Sequence, residues 1–522
     1  MNRDEMLKRA GETRSNPWDI VIIGGGATGL GIAVDSASRG YGTLLVEQSD
    51  FAKGTSSRST KLVHGGVRYL QQGNISLVME ALRERGIMRR NAPHLVHDLA
   101  FVVPSYAWWE SPYYGIGLKV YDLLAGKFGF ARSKMLSREE VLERVPTLRE
   151  DGLRGGTQYH DGQFDDARLA INLARTAIEQ GATVVNYVAA VGLTKSGDGM
   201  IDGVKCHDVE TGGEFHVQAK VVINACGPFL DGVRRLDEPE CKPMIRPSQG
   251  VHLVFPRSVL PGEWAIMVPH TDDGRVLFAI PWHDRTVIGT TDTPIENVTI
   301  EPRALDEEIE FILTNASRYL AKAVTRDDAL SVFAGIRPLV GDPDDESKGT
   351  ASVSRDFTIH ISDSGLVTIG GGKWTTYRHM AEEAVNKAAE FAELPASPCV
   401  TKTLNVHGFH ENSERFGELA HFGADAMDIE SLIRSDAALG ERLHPNLAAR
   451  AAEVVWATRF EMARTVEDVL SRRTRCLLLD AKAAVEAAPK VAAIMASELK
   501  RDKGWIKSQV EALTTLARGY LP

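Results

Sequence analysis

Cysteine is scarce in this chain, and Cys206, Cys226, Cys241, Cys399 and Cys476 are scattered without metal-ligand spacing. Their odd number and spread argue against a disulfide framework and a structural metal, and fit a reducing compartment. Long apolar runs are missing as well. The longest are strand-length, so no segment is read as spanning a bilayer. Residues 1–17 alternate charged and polar types and lack the apolar core of a secretory signal. Basic residues do not dominate: 60 Lys and Arg against 70 Asp and Glu leave a net charge of −10. That argues against a general nucleic-acid binder but leaves room for a local basic pocket. Internal repeats are not evident. Composition is that of an ordinary soluble protein, 43% hydrophobic and 25% charged over 522 residues, enough chain for about two or three domains.

One motif stands out from this plain background. The apolar strand WDIVII at 18–23 runs straight into Gly24-Gly25-Gly26-Ala27-Thr28-Gly29. A helix is expected over 27–39, stopped by Gly40, and a second strand over 43–46 ends on Glu47. Gly24 permits the tight turn, Gly26 lets a pyrophosphate reach backbone N–H groups, and Gly29 lets helix and strand pack closely. The phosphates then meet the positive end of the helix. Glu47, 23 positions after Gly24, is placed to accept hydrogen bonds from the adenosine ribose. GxGxxG alone is weak; strand, helix and acidic residue together make it specific.

The rest of the chain decides between dinucleotides. Residues 52–61 (AKGTSSRSTK) offer Thr55, Ser56 and Ser57 to phosphates or a ribityl chain. A nicotinamide enzyme would more often continue into further βαβ units. Here short strands at 251–255, 275–282 and 286–290 imply an antiparallel sheet, interrupted by a helix at 306–321. A hairpin at 352–369 then returns the chain to Gly370, Gly371 and Gly372 and a helix over 375–391, whose amino end can face the pyrimidine edge of a flavin. FAD fits this arrangement better than NAD. Beyond Pro395 and Pro398 helical periodicity dominates, including an amphipathic helix at 451–464. The expected fold is α/β: a discontinuous Rossmann-like FAD-binding domain (1–73, 150–240 and 351–395), an antiparallel-sheet substrate or cap domain (74–149 and 241–350), and a separate all-helical C-terminal domain (396–522). The polar loop 341–349 is read as facing water.

GGGATG at 24–29, TSSRSTKLVHGGVRYL at 55–70, GIRPL at 335–339, GGKWTTYR at 371–378 and EMARTVEDVLSRRTR at 461–475 closely resemble the FAD-dependent glycerol-3-phosphate dehydrogenases of the respiratory type. The likeness covers nearly the whole chain. It implies oxidation of sn-glycerol 3-phosphate to dihydroxyacetone phosphate by hydride transfer from C2 to flavin N5, with the electrons passed to a quinone. It also implies a homo-oligomer peripheral to the cytoplasmic face of the inner membrane. An oxidase that gives its electrons to O2 and makes H2O2 would share these motifs. An amine or amino-acid oxidoreductase would not need phosphate-binding arginines, and a non-catalytic nucleotide-binding protein would need only the glycine turn.

A phosphate dianion calls for rigid, multiple donors, which arginine supplies best. The resemblance places Arg68, Tyr69, Arg337, Arg355 and Lys373 in the pocket. Arg68, Tyr69 and Arg355 are assigned to the phosphate and substrate oxygens. Arg337 and Lys373 are assigned to the reacting hydroxyl, where positive charge favours its alkoxide-like form. A lone arginine is ordinarily a surface or structural salt bridge, but Arg337 lies between Ile336 and Pro338, an apolar setting. An unshifted histidine titrates near ~6.5, so His64, beside Gly65 and Gly66, and His252 are candidate general bases. Their alternatives are a loop-fixing hydrogen bond and an orienting role. Residues 106–130 crowd Trp108, Trp109, Tyr113, Tyr114, Tyr121, Phe128 and Phe130 with Lys119 and Lys127, which suits either a membrane headgroup region that admits quinone or a cap over the active site. Arg464, Glu467, Asp468, Arg472, Arg473 and Arg475 are equally dense. As exposed i,i+4 pairs they would contribute only ~0.2–0.5 kcal/mol each, so 461–475 is read as an interface.

Overall fold

Ile20, Val21 and Ile22 are fully buried, because the strand Trp18–Ile23 is covered on both faces, as apolar strands of parallel sheets are. It pairs in parallel with Thr43–Val46 on one side and Glu214–Asn224 on the other. Thr183–Val185 continues the sheet past Thr43–Val46, and Leu366–Gly371 continues it past Glu214–Asn224. Phe357–Ile361 closes that edge in antiparallel fashion. The chain thus leaves this sheet for the other and returns to it twice. Helices Ala27–Ser38, Asp166–Glu179 and Tyr377–Phe391 pack side by side against one another. This computed structural model describes residues 1–12, 16–66, 74–126, 129–341 and 356–522. Arg68, Tyr69, Arg355, Lys127 and Phe128, the polar loop after Gly341 and the start of the expected 352–369 hairpin lie outside the described residues.

The second sheet runs in the order Thr293–Pro294, Ile245–Pro256, Arg285–Gly289, Leu277–Trp282, Trp264–Val268, Val96–Ser105, Gly155–Phe164 and Leu62–Val63. Ser331–Val340 pairs along Ile245–Pro256, and Lys134–Ser137 along Gly155–Phe164. All its pairings are antiparallel except that of Trp264–Val268 with Val96–Ser105. Two segments expected in the nucleotide domain, Leu62–Val63 and Gly155–Phe164, belong to this sheet instead. The second (GGTQYHDGQF) has no apolar alternation to announce a strand; its ladder with Val96–Ser105 decides it.

Alternation along Ile245–Pro256 sends Val251, Leu253 and Phe255 to one face, where they pack with Ile309, Ile312 and Leu313 of helix Asp306–Ser317. Val254, with Trp282 and Phe333, faces the other way and packs with Leu470, Leu477 and Val491 from the C-terminal region. That region holds helices Ala426–Ser435, Ala451–Phe460, Ala481–Leu499 and Lys503–Ala517, and no named strand follows Gly371 among the described residues. It is helical, as expected, but its core is not separate: it is shared with the second sheet.

The segment 461–475 is an interface, and its charges are buried rather than exposed. Its helix is interrupted: Phe460 ends one helix, a π-helical turn spans Asp468–Arg473, and Arg475 adopts φ +59°. Arg464 turns away from Asp468 to Glu210, at 2.7 and 2.8 Å. Arg472 Nε and Arg473 Nη1 both reach Asp50 Oδ2 at 2.5 Å, and Arg473 Nη2 reaches Oδ1 at 2.9 Å. Arg472 also bonds Asp468 at 2.8 Å and Glu467 at 2.9 Å, and Lys53 reaches Glu467 at 2.8 Å. Burial works against the Asp50 charge, yet Arg473 and Arg472 pull its carboxyl down to about 2.

Removing that carboxylate leaves two buried guanidinium groups without their shared partner. Asp50→Asn is therefore expected to destabilise the protein by about 3–5 kcal/mol, read as a lower thermal midpoint. Because the folded value lies below the usual 3.8, the stabilisation is present above that value and is lost as pH falls toward 2. A midpoint unchanged by the substitution at neutral pH contradicts this account.

Candidate active site

Gly24 leaves its strand at φ +112°, a conformation that L side chains rarely adopt. A Cβ there would stand 2.7 Å from the Ala225 carbonyl oxygen, so the turn closes against the neighbouring strand end only because the residue is glycine. Glu47 accepts the Gly25 N–H at 2.6 Å and the Ser49 N–H at 2.8 Å. Burial pushes its carboxyl above the usual range, and those N–H groups oppose the rise. Gly26 caps helix Ala27–Ser38 without a side chain, leaving most of the helix's amino end to whatever enters beside it. Ser56 ties the parts together: its hydroxyl accepts the Ala27 N–H at 2.9 Å, and its carbonyl accepts the Trp374 indole N–H at 2.9 Å.

Between these parts lies a cavity of about 710 Å³, lined by Gly24, Gly26, Glu47, Thr55, Ser56, Gly371, Gly372 and Lys373. The donor set suits FAD: N–H groups and hydroxyls for the pyrophosphate, a carboxylate for the ribose, and a glycine pair for the ring. Gly29 and Ser57 do not line it, Gly29 in keeping with the packing role read for it and Ser57 against the expectation that it meets the cofactor. Gly29 packs the helix on the turn, since a Cβ would fall 1.9 Å from the Gly24 carbonyl oxygen. Ser57 is buried and gives its carbonyl to Lys61 Nζ at 2.7 Å.

A second cavity, of about 340 Å³, adjoins the first and shares Thr55, Gly371, Gly372, Lys373 and Trp374 with it. Arg337, Lys373, His64 and His252 all line it. Arg337 is tethered by the Thr291 carbonyl at 2.9 Å, by Thr290 Oγ1 at 3.3 Å and by Asp292 Oδ1 at 3.4 Å. Its guanidinium lies across Gly250, where a Cβ would stand 2.5 Å from Nη2. His252 is buried and stacks on Phe333 with ring centres 4.8 Å apart, and its Nε2 is 2.9 Å from Thr60 Oγ1. Burial first, then the charges of Lys61 and Arg337, hold this imidazole well below its usual range, so it is neutral near pH 7.

Thr60, Gly250, Arg275 and Asp292 line the cavity too and were not singled out from sequence. Only Gly250, two residues before His252 in the middle of a strand, gave a readable sign. Away from the cations the lining turns apolar, with Phe101, Tyr114, Tyr159, Met267 and Phe278. Tyr114 comes from helix Glu110–Ala125, the aromatic segment, which has two faces. Its inner residues Tyr114 and Tyr121 are buried, while Trp108, Trp109, Tyr113, Ile116, Val120 and Leu123 are exposed. Tyr121 accepts the Gly65 N–H and donates to Asp161, both at 2.8 Å. Among the described residues no three His, Cys, Asp or Glu side chains are placed to hold a metal ion.

Gly24→Ala adds a Cβ where backbone already stands, so the variant is expected to purify without the yellow flavin absorption of the parent. A variant that keeps its full flavin complement would remove Gly24 from the cradle.

Comparison with known proteins agrees with this geometry. The family described as FAD dependent oxidoreductase matches residues 19–378, and the C-terminal domain of alpha-glycerophosphate oxidase matches residues 366–505. The mitochondrial glycerol-3-phosphate dehydrogenase of Rattus norvegicus is 42% identical, over 96% of this chain and 73% of its own length. That of Arabidopsis thaliana is 42% identical over 96% of this chain and 86% of its own. The crystal structure of the glycerol-3-phosphate dehydrogenase from Bacillus halodurans, complexed with FAD, superposes over 100% of this chain and 98% of its own with a TM-score of 0.78 at 30% identity. The L-alpha-glycerophosphate oxidase of Mycoplasma pneumoniae shares the fold, with a TM-score of 0.57 at 18% identity over 74% of this chain and 98% of its own. With its FAD cradle opening onto a cationic pocket, the chain belongs to the FAD-dependent glycerol-3-phosphate dehydrogenase family.

Proposed function

We propose that the chain oxidises sn-glycerol 3-phosphate to dihydroxyacetone phosphate in the smaller cavity and passes the electrons to a quinone. The observation that carries this reading is the shared wall at 371–374, which brings a cationic pocket against the cofactor cavity. FAD, held by the lining of the larger cavity, would supply the two-electron acceptor for the hydride leaving C2. The residues do the rest. Arg337, held by the carbonyl of Thr291 and by Asp292, and Lys373 favour the alkoxide-like form of the C2 hydroxyl. His252, neutral before the reaction, accepts the hydroxyl proton, and His64 orients the substrate from the loop after Leu62–Val63. Arg68, Tyr69 and Arg355 complete the grip on the phosphate, a role that rests on the family resemblance.

The quinone reading rests on the apolar end of the same cavity. It reaches Tyr114 on helix Glu110–Ala125, whose outer face exposes Ile116 by 67% and Leu123 by 81%. Trp109, Tyr113, Ile116, Val120 and Leu123 recur every three or four residues, so they form one apolar stripe. We read this stripe, with exposed Lys119 beside it, as the surface that rests on a membrane and admits the acceptor. No helix among the described residues is long and apolar enough to cross a membrane. Placement on the cytoplasmic face of an inner membrane and a homo-oligomeric state belong to the same proposal.

Glycerol 3-phosphate added without oxygen should bleach the flavin, and Arg337→Ala should slow bleaching at least about a hundredfold, roughly 2.7 kcal/mol. An unbleached spectrum sinks the substrate assignment, and an unchanged rate in the variant removes Arg337 from the chemistry. For the acceptor, the purified enzyme should reduce a short-chain quinone faster than it forms peroxide under air. Leu123→Asp with Ile116→Asp should release it from anionic vesicles while soluble substrate still bleaches the flavin. Peroxide formation without quinone reduction would assign an oxidase instead.

A further inference from the structure

Lys61 is fully buried and lines neither cavity, yet it stands between two residues that do, Thr60 and Leu62. Its backbone is left-handed, at φ +64°, a conformation a lysine holds only when its surroundings dictate it. The ammonium has all three donors engaged: Ser57 carbonyl at 2.7 Å, and Asp166 Oδ1 and Oδ2 at 2.8 Å each. Asp166 is held in turn by the Ser59 hydroxyl at 2.7 Å, the Ser59 N–H at 3.0 Å and the Ala167 N–H at 2.7 Å. The result is a closed knot of 57–61 on the first turn of helix Asp166–Glu179. From this knot Thr60 projects its hydroxyl to 2.9 Å from His252 Nε2.

A second path joins the same two residues. Lys61 Nζ lies 5.1 Å from the centre of the Phe333 ring and 4.9 Å from that of Trp282, and Phe333 is the ring on which His252 stacks, at an interplanar angle of 14°. On its other edge the imidazole meets Gly289, where a Cβ would stand 2.3 Å from Cδ2. So the ring is gripped by an aromatic face, a glycine and a threonine hydroxyl. The ionisable groups bearing on it are Lys61 from the 57–61 knot and Arg337 from strand Ser331–Val340. Behind Lys61 stand Asp166, Asp165 and Arg475. Among the described residues no carboxylate is hydrogen-bonded to the imidazole, whose Nε2 faces the Thr60 hydroxyl.

We propose that Lys61, anchored by Asp166, is a positioning residue for the alcohol-oxidising centre, acting through Thr60 and Phe333 to hold His252 in one orientation and in its neutral form. The ammonium opposes a second positive charge on the imidazole until an anionic substrate enters, and the knot aims Thr60 so that Nε2 cannot swing away. The inference rests on the reading of His252 as proton acceptor, but its test is separable from that reading. Removing Lys61 takes away a nearby positive charge, so the imidazole should protonate at higher pH.

The holoprotein is labelled with [13C, 15N]histidine, and the His252 signal is assigned by its loss in His252→Gln. In the parent, His252 should remain neutral to well below the usual histidine range. In Lys61→Met its titration should move up by roughly half a pH unit or more. The acid limb of anaerobic flavin reduction by glycerol 3-phosphate should move up with it. A His252 titration that stays put in Lys61→Met, even with a lowered thermal midpoint, reduces Lys61 to a structural role and overturns the proposal. If the titration moves and the acid limb does not, Lys61 still positions His252, while the proton-acceptor reading of His252 fails. Should Lys61→Met not fold, Thr60→Val keeps the buried pair and removes only the hydroxyl. It is expected to shift the His252 Nε2 resonance and slow flavin reduction about tenfold or more, and an unchanged resonance and rate overturn the proposal equally.

Discussion

The buried carboxylate of Asp50 ties the nucleotide-binding segment to the C-terminal helices. It is fully buried and lies three positions beyond Glu47, on the segment that walls the cofactor cavity, and it is held by Arg472 and Arg473 from the C-terminal region. Two guanidinium groups and a carboxylate out of water are costly unless every donor and acceptor is matched. Here Glu467, Asp468 and the Glu461 carbonyl take further donors, and Arg473 Nε has only the charge of Glu461 near it, at 3.9 Å. Such a network contributes little net stability compared with an apolar core of equal volume. Its consequence is specificity: matching these charges favours one register of the helices of 451–517 on the 47–58 segment. The same helices share an apolar core with the second sheet, so one docking event fixes the nucleotide sheet and the antiparallel sheet relative to each other.

That placement gives the site its logic. The cofactor cavity belongs mainly to the first sheet, and the cationic pocket to the second. They meet at Gly371 to Trp374, where strand Leu366–Gly371 ends. Close approach is bought by absent side chains at a few points. Arg337 lies flat only because Gly250 offers no Cβ, and the turn at Gly24 reaches Ala225 for the same reason. Charge is distributed with equal economy. Arg337 and Arg275 both contact Asp292, so the pocket is cationic without an uncompensated cluster, while burial and the charges of Lys61 and Arg337 keep His252 neutral.

Much of this was legible in the sequence, for physical reasons that differ by element. The glycine turn and Glu47 were readable because a dinucleotide imposes strand, turn, helix and acid at fixed spacing. Gly371 and Gly372 came from the glycine triplet between a strand and a helix, Arg337 and Lys373 from motif resemblance, and all of them line one or both cavities. Sequence could not place Gly155–Phe164, whose polar residues carry no period, since a strand decided by its ladder leaves no local trace. Nor could it show that Arg472 and Asp468 are buried, because spacing alone gives the same i,i+4 pair on a surface. Thr60 and Lys61 look like ordinary loop residues until the fold brings Asp166 and His252 beside them. The aromatic segment was read as membrane surface or active-site cap. Its inner face does cap the cavity, and its outer face is exposed.

The proposed chemistry needs one wall, residues 371–374, with the flavin on one side and the alcohol on the other. A crystal structure of the FAD-loaded protein soaked with glycerol 3-phosphate under reducing, oxygen-free conditions tests this directly. The account predicts the flavin ring against Gly371 and Gly372, with C2 of the ligand about 3–3.5 Å from N5 and its C2 oxygen facing Arg337. A ligand bound in the pocket with C2 turned away from the ring, or a ring lying clear of Gly371 and Gly372, would contradict it.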